Sequence, residues 1–280
     1  MKICLFNDLH LEFEPFDFPS EDTYDVMVWA GDIFPIKQWL AGDRDATRNI
    51  PRNKPIYYVV GNHEYYDSVF DVKPLREYLA KQFPNIRLLE DEWVRLNDDV
   101  VLYGMTMWTN FNDSDVEAMN YAQRRMNDYK YIYAKTDRAY NEGISLERRA
   151  ITPAHTANKH DHSMLCIKDP KVGFDSMRWF GPVNDPPTKI IMVTHHSPLR
   201  TKDQNPRDDV LLNPAYIAQD AVALMDENDI DHQIVVWCHG HTHEFRDEMY
   251  NNTRILSNAR GYDGLEFVHG FKPEGLIFEI

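Results

Sequence analysis

The sequence predicts an α/β fold, and three observations carry that expectation. Short apolar runs of strand length recur at 2–6, 25–30, 55–60, 189–193 and 234–237. Helical patterns stand between them, as at 74–83, where Pro74 opens a stretch that puts Leu75, Tyr78, Leu79 and Phe83 on one face. Nearly every one of these strands closes on histidine, aspartate or asparagine. At 280 residues the chain is long enough for one large α/β domain.

Composition narrows the function. Apolar residues make up 43% and charged residues 27%, enough to build a globular core. A formal net charge of -15 argues against a general nucleic-acid binder, which needs an extended basic face. It leaves room for a small phosphorylated substrate held by metal ions, where the local field decides. Cys4, Cys166 and Cys238 form no CxxC pair and point to a reducing compartment. The apolar start Met1–Phe6 is interrupted by Asn7-Asp8, and no apolar run approaches the roughly 20 residues that span a bilayer. A cytoplasmic protein with no membrane partner is expected.

In chain order, Lys2–Phe6 is a strand ending in Asn7-Asp8-Leu9-His10, where residues two apart in extended backbone would converge on one ion. Asp25–Ala30 is a second buried strand, closing on Gly31-Asp32. Residues 41–54 read as a surface loop or ragged helix. Pro55–Val60 is the central strand and delivers Gly61-Asn62-His63-Glu64, the glycine allowing a sharp turn. Strands are expected at 86–90 and 100–104, with Asn97-Asp98-Asp99 as a turn between strands. Ser114-Asp115-Val116-Glu117 has the form of a capping box, opening a helix with Val116, Met119, Ala122 and Met126 inward. Met126–Tyr129 reads as a loop, and a second helix runs from Thr152-Pro153 to about Lys168. Strand 189–193 ends in Thr194-His195-His196-Ser197-Pro198. Asn213-Pro214 is expected to cap a helix striped by Ile217, Ala221, Leu224 and Met225. Strand 234–237 ends in Cys238-His239-Gly240-His241-Thr242-His243, and short strands at 253–256, 261–264 and 276–280 complete the chain.

The strand-end residues are Asp8, His10, Asp32, Asn62, His63, His195, His196, His241 and His243. Nitrogen and carboxylate donors without thiolates suit Zn, Mn, Fe, Co or Ni. Their number exceeds one tetrahedral site, so two neighbouring divalent ions are expected, with Asp32 suited to bridge them. Two such ions carry more positive charge than Asp8 and Asp32 cancel, which favours a bridging hydroxide and an anionic substrate. The chemistry indicated is metal-assisted phosphoester hydrolysis.

Asp8-x-His10, Gly31-Asp32, Gly61-Asn62-His63-Glu64, His195-His196 and Gly240-His241-Thr242-His243 occur in that order from residue 8 to 243, and together they resemble the calcineurin-like metallophosphoesterases. Trp108-Thr109-Asn110-Phe111, Met126-Asn127-Asp128-Tyr129 and Arg260-Gly261-Tyr262 are similar to stretches in small bacterial and phage members. The resemblance implies a four-layer αββα sandwich of two mixed β-sheets flanked by helices. The stretch at about 105–187, long for a connection, reads as a helical insertion that is either a cap over the site or helices packed on one face of the sheet, and the resemblance implies one domain over 1–280. It assigns Asp8, His10 and His243 to one metal and Asn62, His195 and His241 to the other, with Asp32 between them. Asp32, Asn62 and His63 are the catalytic set, His63 giving a proton to the leaving oxygen. His195 is preferred over His196 as ligand, because it follows the strand directly and sits three residues before Pro198. His196 and Asn127 are then candidates for facing substrate.

The expected substrate is a small phosphomonoester or phosphodiester such as a nucleotide or other metabolite. A nuclease is the alternative, supported by the aromatics of 105–140 with Arg124, Arg125 and Lys130 but disfavoured by the acidic total. A binding module with a relic site is a third reading, against which every ligand position is filled. His155, His160 and His162 share no helix face at ligand spacing, His239 is expected to pack behind the ligands, and Glu64 to anchor its turn.

Overall fold

The computed structural model describes residues 1–135, 149–168, 189–200, 210–226 and 234–280. Among the described residues, eleven strands form two sheets. In the first, the order is β11 (Leu276–Glu279), β1 (Lys2–Phe6), β2 (Val26–Ala30), β3 (Ile56–Val59) and β4 (Ile86–Leu89). In the second it is β5 (Glu92–Arg95), β6 (Val100–Met105), β7 (Lys189–Thr194), β8 (Ile234–Cys238), β10 (Thr253–Asn258) and β9 (Phe245–Tyr250). Both sheets are mixed: β11 pairs antiparallel with β1 while β1 to β4 are parallel, and β6, β7, β8 and β10 are parallel between antiparallel edges.

The apolar runs are continuous because both faces of the central strands are covered. Ile3, Leu5, Val28, Ala30 and Val59 face Leu102, Ile191, Val193, Val236 and Leu256 in the layer between the sheets. The alternate residues Phe6, Met27, Trp29 and Tyr58 point the other way, onto a layer holding Trp39, Leu75 and Leu79 from the helices Ile36–Ala41 and Lys73–Gln82. On the far side, Met105, Met192 and Trp237 pack with Met164 of the helix Pro153–Lys168 and with Ala221 and Leu224. This is the expected sandwich of two mixed sheets flanked by helices. Parallel strands deliver their carboxyl ends to one edge, where α/β proteins bind ligands.

Several local expectations are corrected. The cap of the helix Val116–Arg125 is Asp115, whose side chain accepts from Glu117 N and Ala118 N, and Val116 is exposed at 69%. Residues 128–131 form a helical turn instead of a loop. The helix expected from Asn213 is broken into the turns Asn213–Tyr216, Gln219–Val222 and Ala223–Asp226, because Ile217 leaves the helix to form a bridge with Ser197. Residues 261–264 are turn, while the short polar strands β5 and β9 were not anticipated. No described helix is long and apolar enough to cross a membrane.

Candidate metal centre

Five loops meet at the sheet edge, following β1, β2, β3, β7 and β8. Asp8, His10, Asp32, His241 and His243 all have positive φ, from 47° to 69°. Non-glycine residues rarely adopt this conformation, and such strain gathers at functional sites. The convergence of Asp8 with His10 and of His241 with His243 therefore comes from left-handed kinks, and the extended backbone expected from sequence is not what produces it. The preceding glycines are required by space: a Cβ on Gly31, whose φ is +88°, would lie 2.2 Å from His195 Nδ1, and one on Gly61 would lie 2.1 Å from Asp32 Oδ1.

Two donor clusters result, each with its ligand atoms within 4.8 Å of one another: Asp8, His10, Asp32 and His243, and Asp32, His195 and His241. Asp32 belongs to both. Its Oδ2 lies 3.9 Å from His10 Nε2 and its Oδ1 lies 3.4 Å from His195 Nε2. Asn62 Oδ1 joins the second cluster, 3.0 Å from His195 Nε2. His196 enters neither; buried, it packs its ring 4.2 Å from His241 and 5.0 Å from Trp108. His63 forms a third group with His10 and Glu12. Asn127 lines the cavity above the centre.

Outer partners fix the ring orientations. His10 Nδ1 faces Glu12 Oε1 at 3.1 Å, His243 Nδ1 bonds Glu266 Oε1, and His195 Nδ1 donates to the Ala30 carbonyl at 3.0 Å. Engaging Nδ1 as donor leaves Nε2 as the lone-pair atom. The Nε2 atoms of His10 and His243 then face each other at 3.1 Å, beside Asp8 Oδ1 at 3.7 Å from His243 Nε2. Among the described residues, His241 Nε2 is buried without a hydrogen-bond partner. Acceptors converging on one another and an orphaned buried nitrogen are what a cation site requires, so these residues fit two divalent ions.

The electrostatics agree. Burial works to raise the Asp32 carboxyl, but His195, His63 and His10 outweigh it and hold it well below the usual range. Burial lowers His10, and burial with His196 and His195 lowers His241, so both rings stay neutral. Burial opposes charge on His195 and His63 as well, yet Asp32, with Glu12 for His63, pushes each up to about 9.

Further residues support the centre. Asp128, buried, accepts from Asn62 Nδ2 at 2.9 Å and Tyr66 Oη at 2.7 Å, turning the Asn62 oxygen towards His195. Glu64 does more than anchor its own turn: it also receives the Asp32 and Ile33 N–H groups from the neighbouring loop. Tyr262 places its hydroxyl 2.9 Å from His63 Nε2. Arg125 reaches the cavity that holds Asp32, Asn62, His241 and His243. Away from the centre, His160 is buried between the Trp108 carbonyl and Asp220. His162 and Cys166 approach Asp91, whose Oδ2 is held by Lys159 at 2.5 Å.

The calcineurin-like phosphoesterase family model matches residues 1–245. The chain belongs to this family. An uncharacterized protein of Acanthamoeba polyphaga mimivirus is 28% identical over 220 residues, covering 74% of this chain and 68% of the viral protein. Among solved structures, the phosphopantetheinyl hydrolase of Mycobacterium tuberculosis superposes with a TM-score of 0.56 at 14% identity, covering 93% of this chain and 89% of that one. That likeness is one of fold. Family membership makes the chain a metal-dependent phosphoesterase, and the donor clusters lie at the strand ends where that chemistry needs them.

Proposed function

We propose that this phosphoesterase hydrolyses phosphomonoesters or phosphodiesters at a dinuclear centre in which Asp8, His10 and His243 hold one ion, Asn62, His195 and His241 hold the other, and Asp32 bridges. The observation that carries the reading is the divided Asp32 carboxylate, with one oxygen towards His10 and the other towards His195. Two divalent ions, when bound, supply Lewis-acid charge stabilisation and an activated water.

The remaining work falls to side chains. His63 is gripped at Nδ1 by Glu12 Oε1 at 3.2 Å and stacked on Tyr66, which leaves Nε2–H directed at the Tyr262 hydroxyl. A leaving oxygen arriving beside that hydroxyl takes the proton, which an alkoxide or phenoxide needs in order to depart. Asp128 and Tyr66 hold the Asn62 amide in its ligating orientation. Arg125, at the end of the helix Val116–Arg125, is the cation that faces the phosphoryl oxygens, on the described part of the expected 105–187 cap of a single domain; 136–148 and 169–187 lie outside the described residues. The nuclease alternative draws little support, because the basic residues that line the neighbouring groove among the described residues, Lys37 and His63, are paired with Asp67 and Glu12.

Hydrolysis of p-nitrophenyl phosphate beside bis-p-nitrophenyl phosphate, in Mn, Ni, Zn and Mg, tests the proposal. Metal-dependent turnover of either ester supports it, and their ratio assigns monoester or diester preference. Absence of turnover with every metal removes it.

A further inference from the structure

The space above the metal centre has two compartments. The inner cavity, of about 180 Å³, is bounded by ligand residues and Arg125. It falls below the roughly 300 Å³ at which pockets begin to enclose a drug-sized molecule, so it suits little beyond a phosphoryl group. An outer trough of about 460 Å³ adjoins it. His63, Tyr66, Asn127 and Tyr262 line both. A substituent leaving the inner cavity on the His63 side passes directly into the trough.

The trough's lining is of a different character. Phe13, Tyr131 and Leu265 border it with 48%, 44% and 75% of their surfaces exposed. The rings of Phe13 and Tyr262 meet edge to face at 5.3 Å, and Tyr66 and Tyr131 lie 6.0 Å apart, giving a wall of aromatic faces. Among the described residues its cations are Lys37, which Asp67 engages at 3.4 Å, and His63, which the Glu12 carboxylate engages at 3.2 Å. Apolar rings exposed beside a polar centre mark a binding surface, and aromatic faces without free positive charge select flat, uncharged groups over polyanions.

We propose that the trough is the leaving-group subsite, and that the substrate class is a phosphoester whose departing alcohol carries a flat, uncharged ring system. The proposal rests on the reading of His63 as the residue facing the leaving oxygen. Tyr131 and Leu265 read the ring, while the phosphoryl group stays within the inner cavity.

The test compares 4-methylumbelliferyl phosphate with p-nitrophenyl phosphate, or the corresponding diesters if only diesters turn over. The two leaving groups are of similar acidity but differ in ring area. The wild-type KM should be about tenfold lower for the two-ring ester, a preference that shrinks to about twofold or less in Tyr131→Ala/Leu265→Ser. Both variant positions are exposed, and a melting curve with metal stoichiometry checks that fold and centre are intact. Equal wild-type KM values, or a preference undiminished in the intact variant, would overturn the subsite while leaving the phosphoesterase reading standing. No turnover of any ester by the wild type would instead remove that reading and the subsite with it.

Discussion

Glu64 ties two ligand loops together: its Oε2 accepts the backbone N–H of Asp32 at 3.0 Å and that of Gly61 at 2.7 Å. Its Oε1 takes Ile33 N at 2.7 Å and the Tyr58 hydroxyl at 2.5 Å. The side chain is fully buried, so the loops after β2 and β3 are positioned through one carboxylate that is itself a member of neither donor cluster.

Replacing that carboxylate should therefore damage the centre from behind. Glu64→Gln puts an NH2 group against backbone donors and leaves at least one of them unpaired, at about 2–4 kcal/mol. Urea unfolding should show that loss, and metal titration should show weaker binding of both ions. Unchanged metal affinity would mean that the loops hold their shape without Glu64.

Asp128 bonds Asn62, a residue the proposal gives to one ion only. Asp128→Ala leaves the Asn62 amide free to rotate and should weaken the ion held by Asn62, His195 and His241 about 10- to 100-fold, the usual cost of losing a ligand's outer partner. The ion at Asp8, His10 and His243 should bind as before. Calorimetric titration separates the two, and Asp128→Asn, which keeps an acceptor for Asn62, should recover part of the loss.

Arg125 should act on substrate and not on metal. Arg125→Ala should raise KM about tenfold and weaken competitive inhibition by inorganic phosphate to a similar degree, as expected for a lost charge-assisted contact. Metal stoichiometry should not change, and Arg125→Lys should restore part of the affinity. An unaltered KM would remove Arg125 from the substrate's reach.

The donor residues that meet at the sheet edge were legible in the sequence because each central strand announces itself by apolar residues and each donor by its own chemistry. Gly31-Asp32 and Gly61-Asn62 could be read as turns at strand ends, whereas the close approach of His195 and Asp32 to those glycines shows only in the structure. The left-handed kinks at Asp8, His10, His241 and His243 were not legible, since nothing in an aspartate or histidine shows its φ. Glu12, Glu266 and Asp128 were missed because a carboxylate's partner is set by tertiary packing; Glu266 reaches His243 from the turn after β10. Strands β5 and β9 carry charges on exposed edges and so lack the apolar run that marks the central strands.

Metal-stripped protein should show a particular pH dependence. His63 and His195 are raised in the folded chain from 6.5 to about 9, so their contribution to stability is fully present below pH 6.5 and is lost as pH rises through about 9. The melting temperature of stripped protein should fall by about 5 °C or more across that interval. Metal affinity should rise over the same range, because the ligand His195 must shed its proton to bind. A stripped protein whose stability climbs from pH 6.5 to 9 would contradict the assigned charge states.

The most direct test of the account is a titration of Mn2+ into metal-stripped protein, following bound metal and ester hydrolysis together for the wild type and Asp32→Asn. The shared Asp32 predicts that hydrolysis appears with the second equivalent, and that Asp32→Asn weakens both ions and loses activity together. Activity in the stripped protein, full activity at one equivalent, or an Asp32→Asn variant that binds two ions and turns over normally would contradict a dinuclear centre bridged by this residue.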